Sequence, residues 1–321
     1  MPSWMRVVNA SWRPDATLPC YSMAVLPHPD VVAGSLCHWG AWEIGAPHDL
    51  EDQAGVPRGT LPPPPNGIFL DIGAHIAHFS FVFARAGYSS IAFEPVPRNC
   101  ATIRASQCLN PQTRVTLFPT ALGSPTTRGP CIATSSHHNM GNAEVRCGAN
   151  ATCDIACGEL DPALSSHGGR RRCGTCSGVR MSTLDEALPL ALDQHLAGAT
   201  RRPPIIAAKL DTEGMECTIL EGGASLLAVH RPLLVLVEVK SHTRRWQMPC
   251  VKRFAAAHGY RVTYREKGDN AFMVRPDVKI VATPVGGHKS AGSPSQRAHR
   301  TSSNDDGGDD KTLVTLPEWK G

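Results

Sequence analysis

The segment Gly67-Ile-Phe-Leu-Asp71-Ile-Gly73-Ala-His75-Ile-Ala77-His78 decides the fold of this chain. It opens as a short apolar run that reads as a buried strand, and Ile76, Phe79, Val82 and Phe83 then recur at helical spacing up to the helix-stopping Gly87. The same alternation continues downstream. Strands are predicted over 90–93, 115–118, 205–210 and 233–239, and helices over 97–108, 216–227 and around Val251 to His258. Residues 260–264 and 271–274, separated by Lys267-Gly-Asp-Asn270, read as a closing hairpin pair. Strands alternating with helices require a mostly parallel sheet covered on both faces, with ligands at the carboxyl ends of the strands. The predicted fold class is therefore α/β, a doubly wound Rossmann-like sheet.

Three stretches fall outside that alternation. Residues 1–64 hold one half-apolar run, Tyr21 to Leu26, and a Trp-containing segment from Cys37 to Glu43, and they end against the stiff Pro62 to Gly67 spacer, where a boundary is expected. Residues 125–180, inside a domain spanning 65–280, are polar, rich in Gly and Cys, and without clear period. Residues 281–321, with Asp305, Asp306, Asp309 and Asp310, read as a disordered tail. With 41% hydrophobic and 19% charged residues the 321-residue chain is globular for most of its length. A net charge of +4 gives no nucleic-acid footprint, and no window approaches the roughly 18 consecutive apolar residues of a membrane span. The start lacks the apolar core of a secretory signal, so a soluble, cytoplasmic protein is the expectation.

Asp71 ends the first strand and Gly73 follows in the turn. A dinucleotide fingerprint would need further glycines where His75 and His78 stand, which counts against a nicotinamide cofactor. An acidic strand end repels a pyrophosphate and favours a sulfonium and an ammonium, the two cationic groups of S-adenosylmethionine. Glu94, 23 positions after Asp71, ends the second strand and is suited to accept hydrogen bonds from a ribose diol. At the fourth strand stands Lys209-Leu-Asp211-Thr-Glu213-Gly214, and at the fifth Glu238. Alternation points Lys209 and Asp211 to one side, as an ion pair would require, and the competing reading is a salt-bridged strand end followed by a capped helix. A divalent metal on Asp211 and Glu238 would also activate a hydroxyl, but no spacing here demands one, so no metal ligand is assigned.

The ordered set Phe69-Leu-Asp-Ile-Gly-Ala, Ala92-Phe-Glu-Pro, Ala121-Leu-Gly, Asn139-Met-Gly141, Thr183-Leu-Asp185, Lys209-Leu-Asp-Thr-Glu-Gly and Leu234-Val-Leu-Val-Glu238 resembles the FkbM family of methyltransferases over about residues 65–276. The resemblance implies a class I methyltransferase fold, a seven-stranded sheet with its last strand antiparallel, and S-adenosylmethionine-dependent O-methylation of a small metabolite, sugar or lipid. It places Asp71, Gly73, Ala74 and His75 in the donor loop, Glu94 at the ribose and Ala121 on the donor side. Asp211, Glu213 and Gly214 match the acceptor-side motif, with Asp211 or Glu213 as the base and Lys209 orienting it. In the family's loop an Asn stands where this chain has His75 and a Gly where it has Ala77, so a methyl group is expected to crowd the donor's path. The alternative reading is a catalytically weak methyltransferase-like protein acting as an interaction module.

Six of the 12 cysteines lie between Cys131 and Cys176. Cys153 and Cys157, followed by Cys173 and Cys176, approach a paired-cysteine zinc spacing, while disulfides and a loop without specific bonds remain alternatives. The sequons Asn9-Ala-Ser11 and Asn150-Ala-Thr152 favour the disulfides, and the missing signal argues against them.

Overall fold

A computed structural model describes residues 2, 4–10, 21–26, 30–127, 129–136, 139–153, 174–197, 202–264 and 268–281. The N-terminal part contains β1 (Arg6–Ala10), β2 (Tyr21–Val25), α1 (Val31–Trp39) and α2 (Pro47–Ala54). Next come β3 (Ile68–Ile72), α3 (His78–Arg85), β4 (Ser89–Phe93), α4 (Pro97–Leu109), β5 (Arg114–Phe118) and β6 (Ala121–Gly123). The segment predicted to be irregular holds β7 (Cys131–Ser136), β8 (Asn139–Cys147) and β9 (Thr175–Val179), followed by β10 (Met181–Thr183) and α5 (Leu184–His195). The chain then forms β11 (Ile205–Leu210), α6 (Glu216–Glu221), β12 (Leu234–Glu238), α7 (Arg244–Ala257), β13 (Arg261–Tyr264) and β14 (Asn270–Val274). The predicted tail lies outside the described residues from 282 onward.

The main sheet has seven strands in the order β13-β14-β12-β11-β3-β4-β5. Strands β5, β4, β3, β11 and β12 are mutually parallel, and β14 runs antiparallel between β12 and β13. This is the doubly wound α/β sheet that the sequence predicts, with its last strand reversed. Because side chains alternate across a strand, Phe69 enters one core layer with Ala92, Ala207 and Leu236, while Leu70, Ile91, Ala208 and Val235 enter the other. On the first face Phe69 stacks on Phe83 with ring centroids 4.0 Å apart.

Register sets the position of the site. Asp71 lies opposite both Ala92 and Lys209, and Ile72 lies opposite Phe93 and Leu210, which in turn faces Val237. The residues that follow these partners, Gly73, Glu94, Asp211 and Glu238, therefore emerge along one edge of the sheet. The proline spacer is a break in the chain and not in the core: Tyr21, Met23, Leu36, Ile44 and Leu50 share one apolar cluster with Phe69, Phe81 and Phe83.

Two expectations need correction. The helix predicted over 216–227 ends at Glu221 with Gly222 as its C-cap, where a Cβ would fall 2.1 Å from the carbonyl oxygen of Gly123, and a separate π-helical turn covers Leu226–His230. The 125–180 segment is not structureless: β7 is the central strand of an antiparallel sheet flanked by β8 and β9. Its alternation is hidden in the sequence because Ser, Thr and Ala occupy positions that larger apolar residues usually mark.

The zinc expectation is also replaced. Cys153 is bonded to Cys176, which removes both thiolates from any metal set, and Cys157 and Cys173 lie outside the described residues. Cys131 is bonded to its cross-strand partner Cys147, and Cys217 on α6 to Cys250 on α7. A cross-link spanning 16 residues stabilises by about 3 kcal/mol, chiefly by restricting the unfolded chain. Replacing Cys131 and Cys147 together by serine is expected to cost that amount and to speed amide hydrogen exchange in β7 and β8. Unchanged exchange there would contradict it.

Candidate active site

The turn after β3 is wound by three left-handed residues, Gly73 (φ 77°), His75 (φ 56°) and Ala77 (φ 63°). The amides of Gly73 and Ala74 both donate to the carbonyl of Phe93, at 3.0 Å each, and that of His75 donates to Glu94 Oε2 at 2.8 Å. The loop is thus laced to the end of β4. A Cβ on Gly73 would lie 1.8 Å from the carbonyl oxygen of Asp211, so glycine is required for the approach as well as for the φ. Ala77 opens α3, and its methyl is fully buried in the apolar core beneath the loop. The residue expected to crowd the donor's path therefore packs into the protein interior.

Above the strand ends lies a cleft of about 530 Å³ counted to its open mouth. Gly73, His75 and Glu94 form one wall, Ala121 and Leu122 another, Asp211 and Glu213 a third, and Gly141 to Ala143 of β8 close it from the inserted sheet. Glu94 is buried at 4% exposure and accepts from the amides of His75 and Val96 and, at 3.3 Å, from the Asn99 carboxamide. Burial pushes its carboxyl up to about 7 against those donors. A carboxylate accepts about four hydrogen bonds, so with three donors in place Glu94 keeps one site, on Oε2, for a ligand hydroxyl.

Lys209 is the hub beneath the cleft. Its ammonium lies 3.0 Å from Asp211 Oδ2, 3.9 Å from Asp71 Oδ1 and 3.4 Å from the carbonyl of Gly73, over the face of Phe79. Burial disfavours its charge, but the paired carboxylates outweigh burial and hold the ammonium protonated. The carboxylate of Asp71 takes the amide and hydroxyl of Ser80, at 3.1 and 2.7 Å, and lies inside the protein rather than in the cleft lining.

Asp211, Glu213 and Glu238 bring carboxylate oxygens within 4.8 Å of one another, a spacing open to a metal ion. Protein groups already pair with part of this charge. Lys240 is ion-paired with Glu213 and lies 3.6 Å from Glu238, while Lys209 holds Asp211. Burial, followed by the charges of Asp211 and Glu213, pushes the Glu238 carboxyl up, and the side chains of Glu238 and Asp211 share a hydrogen bond. For Asp211 burial acts upward too, but Lys209 prevails and holds it below the ordinary carboxylate range. The loop carrying Asp211 is anchored by the buried Glu216, which accepts from the amides of Thr212 and Gly214 and from Gln247.

The N-terminal segment completes the site through Asp30. Its carboxylate caps α1 through the amide of Ala33 (2.7 Å), accepts the amide of Gly141 (3.1 Å) and pairs with His75 Nε2 (3.1 Å). For His75 burial acts downward, but the Asp30 charge outweighs it and raises the imidazole; for Asp30 burial acts upward and His75 prevails, lowering the carboxyl. This pair contributes fully between the ordinary pKa values of about 3.9 and 6.5. Its contribution fades as pH falls through the lowered Asp30 value and as pH rises through the raised His75 value. Wild type is therefore expected to lose its stability advantage over Asp30→Asn on both sides of that window in thermal melts; a pH-independent difference would contradict the pairing.

Of the residues singled out in the sequence, the structure brings Gly73, His75, Glu94, Ala121, Asp211 and Glu213 to one cleft, and sets Asp71, Ala74 and Lys209 behind it. Sequence reasoning missed Asp30 and Lys240. It also missed Glu43, which sits at a left-handed φ of 58° with its carboxyl pushed up to about 7 by burial and by Asp211. A sequence profile described as the methyltransferase FkbM domain matches residues 71–262. No curated protein sequence matches the chain. Among solved structures, the precorrin-6y C5,15-methyltransferase of Geobacter metallireducens GS-15 is 12% identical, over 77% of this chain and 92% of that one, with a TM-score of 0.36. The METTL16 MTase domain is 11% identical over 74% and 66%, with a TM-score of 0.34.

Proposed function

The chain belongs to the FkbM methyltransferase family, and from that premise we propose that it methylates a hydroxyl of a small metabolite, sugar or lipid, with Asp211 taking the hydroxyl proton. The observation that carries this reading is the shared cleft: the Glu94 carboxyl and the Gly73 to His75 loop face the same space as Asp211 and Glu213. The donor set suits S-adenosylmethionine. Glu94 Oε2 has one acceptor site left for a ribose hydroxyl, and Phe93, Val96 and Leu122 offer apolar walls for a purine. When bound, this cosubstrate supplies a methyl carbon on a cationic sulfur that leaves as a neutral thioether.

Much of the acceleration then comes from holding the acceptor oxygen in line, which Gly141 to Ala143 and the Asp211 to Glu213 loop are placed to do. A hydroxyl becomes strongly acidic as its oxygen is alkylated, so a carboxylate with a lowered pKa still accepts the proton. Lys209 fixes the Asp211 carboxylate from one side, and the protonated Glu238 donates to it from the other. Asp71 acts as a positioning residue through Lys209 and Ser80.

Lys209 and Lys240 already pair with Asp211 and Glu213, so transfer is expected to proceed undiminished in the presence of a chelator. The test is transfer of a labelled methyl group into hydroxylated acceptors from cell extract. Glu238→Gln, which keeps a donor to Asp211, is expected to retain most of the turnover that Glu238→Ala loses. Donor binding without transfer to any acceptor would favour the interaction-module reading, and equal activity of the two Glu238 variants would remove the proton-sharing role.

A further inference from the structure

We propose that Asn150 is an N-glycosylation site, and that this chain matures in an oxidising secretory compartment where the glycan is added. Two independent observations point there. Nine cysteines lie among the described residues; six are joined in three disulfides and three are free. Disulfides of this number persist where the surroundings are oxidising and are reduced by the thiol pools of the cytosol. The proposal thus differs from the cytoplasmic expectation drawn from the sequence.

The second observation is the setting of the sequon Asn150-Ala-Thr152. It falls between Cys147 and Cys153, each cross-linked to a different strand of the inserted sheet. The turn is tied at its base, with the Gly148 amide bonded to the Pro130 carbonyl and the Ala151 amide to the Gly148 carbonyl. Asn150 and Thr152 are themselves exposed. Only the opposite half of β8, from Gly141 to Val145, lines the cleft; Asn150 lies in the turn that follows the strand's other end and is no part of that lining. A bulky saccharide there projects into solvent and leaves the active site open. The other sequon is placed differently: Asn9 lies within β1, and its carboxamide oxygen accepts the Ser22 hydroxyl.

The modification consumes an oligosaccharide linked to a lipid diphosphate. Asn150 Nδ2 forms a bond to the anomeric carbon, the bond from that carbon to the diphosphate oxygen breaks, and the amide releases one proton. Each disulfide forms as two thiols give up two electrons and two protons to an oxidised thiol–disulfide exchange enzyme.

The test uses full-length protein from the cells that make it, alkylated without reduction and treated with a peptide N-glycosidase in heavy-oxygen water. The expected result is Asn150 converted to heavy-oxygen-labelled aspartate, with the Cys153 and Cys176 peptides still linked. Recovery of Asn150 as plain asparagine, or of Cys153 and Cys176 alkylated before reduction, would overturn the proposal. In the same cells Asn150→Gln and Thr152→Ala should each lose one glycan's mass and Thr152→Ser should keep it. A mass shift that survives in both loss variants would equally overturn it. None of these readings depends on methyl transfer.

Discussion

Gly73→Ala is expected to abolish S-adenosylmethionine binding and to lower stability by roughly 2–5 kcal/mol, the sum of an unfavourable left-handed alanine and of overpacking. The added methyl would lie 1.8 Å from the Asp211 carbonyl oxygen and 2.8 Å from its carbonyl carbon. Both are backbone atoms of the loop that Glu216 anchors, so no side-chain rotation relieves the clash. The donor loop would have to lift from the end of β4, breaking the paired bonds from Gly73 and Ala74 to Phe93. Thermal melting together with donor titration checks this. Wild-type affinity and melting temperature in Gly73→Ala would show that the loop tolerates what the geometry forbids.

Asp211→Asn is expected to reduce turnover by about 10²–10⁴-fold, the usual worth of a positioned proton acceptor, while leaving donor affinity within a few-fold of wild type. An amide of the same shape still fills the space beside Lys209 but has no basic oxygen. Because Lys209 holds Asp211 below the ordinary carboxylate range, wild-type turnover at saturating donor should fall only in acid, as Asp211 gains a proton, whereas donor affinity should weaken as pH falls through about 7, where Glu94 titrates. Asp211→Asn with full turnover would place the base elsewhere. Glu213, which lines the same cleft two residues on, is then the next carboxyl to test.

The strand ends were the legible part of this molecule. Five parallel strands in register deliver Glu94, Asp211 and Glu238 to one edge, so a carboxylate at the end of an apolar run was enough to find them. Asp71 was legible as a buried strand-end acid but not in its contacts. Its cross-strand neighbour Lys209 and the first turn of α3 claim the carboxylate before any ligand can. The latch of Asp30, His75 and Gly141 could not be read, because its members are 45 and 111 residues from Asp30 in sequence and meet only when the inserted sheet folds over the cleft. Nor did cysteine spacing reveal the pairings: 16, 23 and 33 residues separate the bonded partners, and strand register, not spacing, brings Cys131 to Cys147.

The central claim is that the cleft above β3, β4 and β11 holds the methyl donor through Glu94. Calorimetric titration of the full chain with S-adenosylmethionine tests it most directly, comparing wild type with Glu94→Ala. The account predicts saturable one-to-one binding, weakened about 10–100-fold in Glu94→Ala, which is the equivalent of losing charge-assisted hydrogen bonds worth about 1.5–3 kcal/mol. Absence of binding by the wild type, or equal affinity in the two proteins, would contradict it.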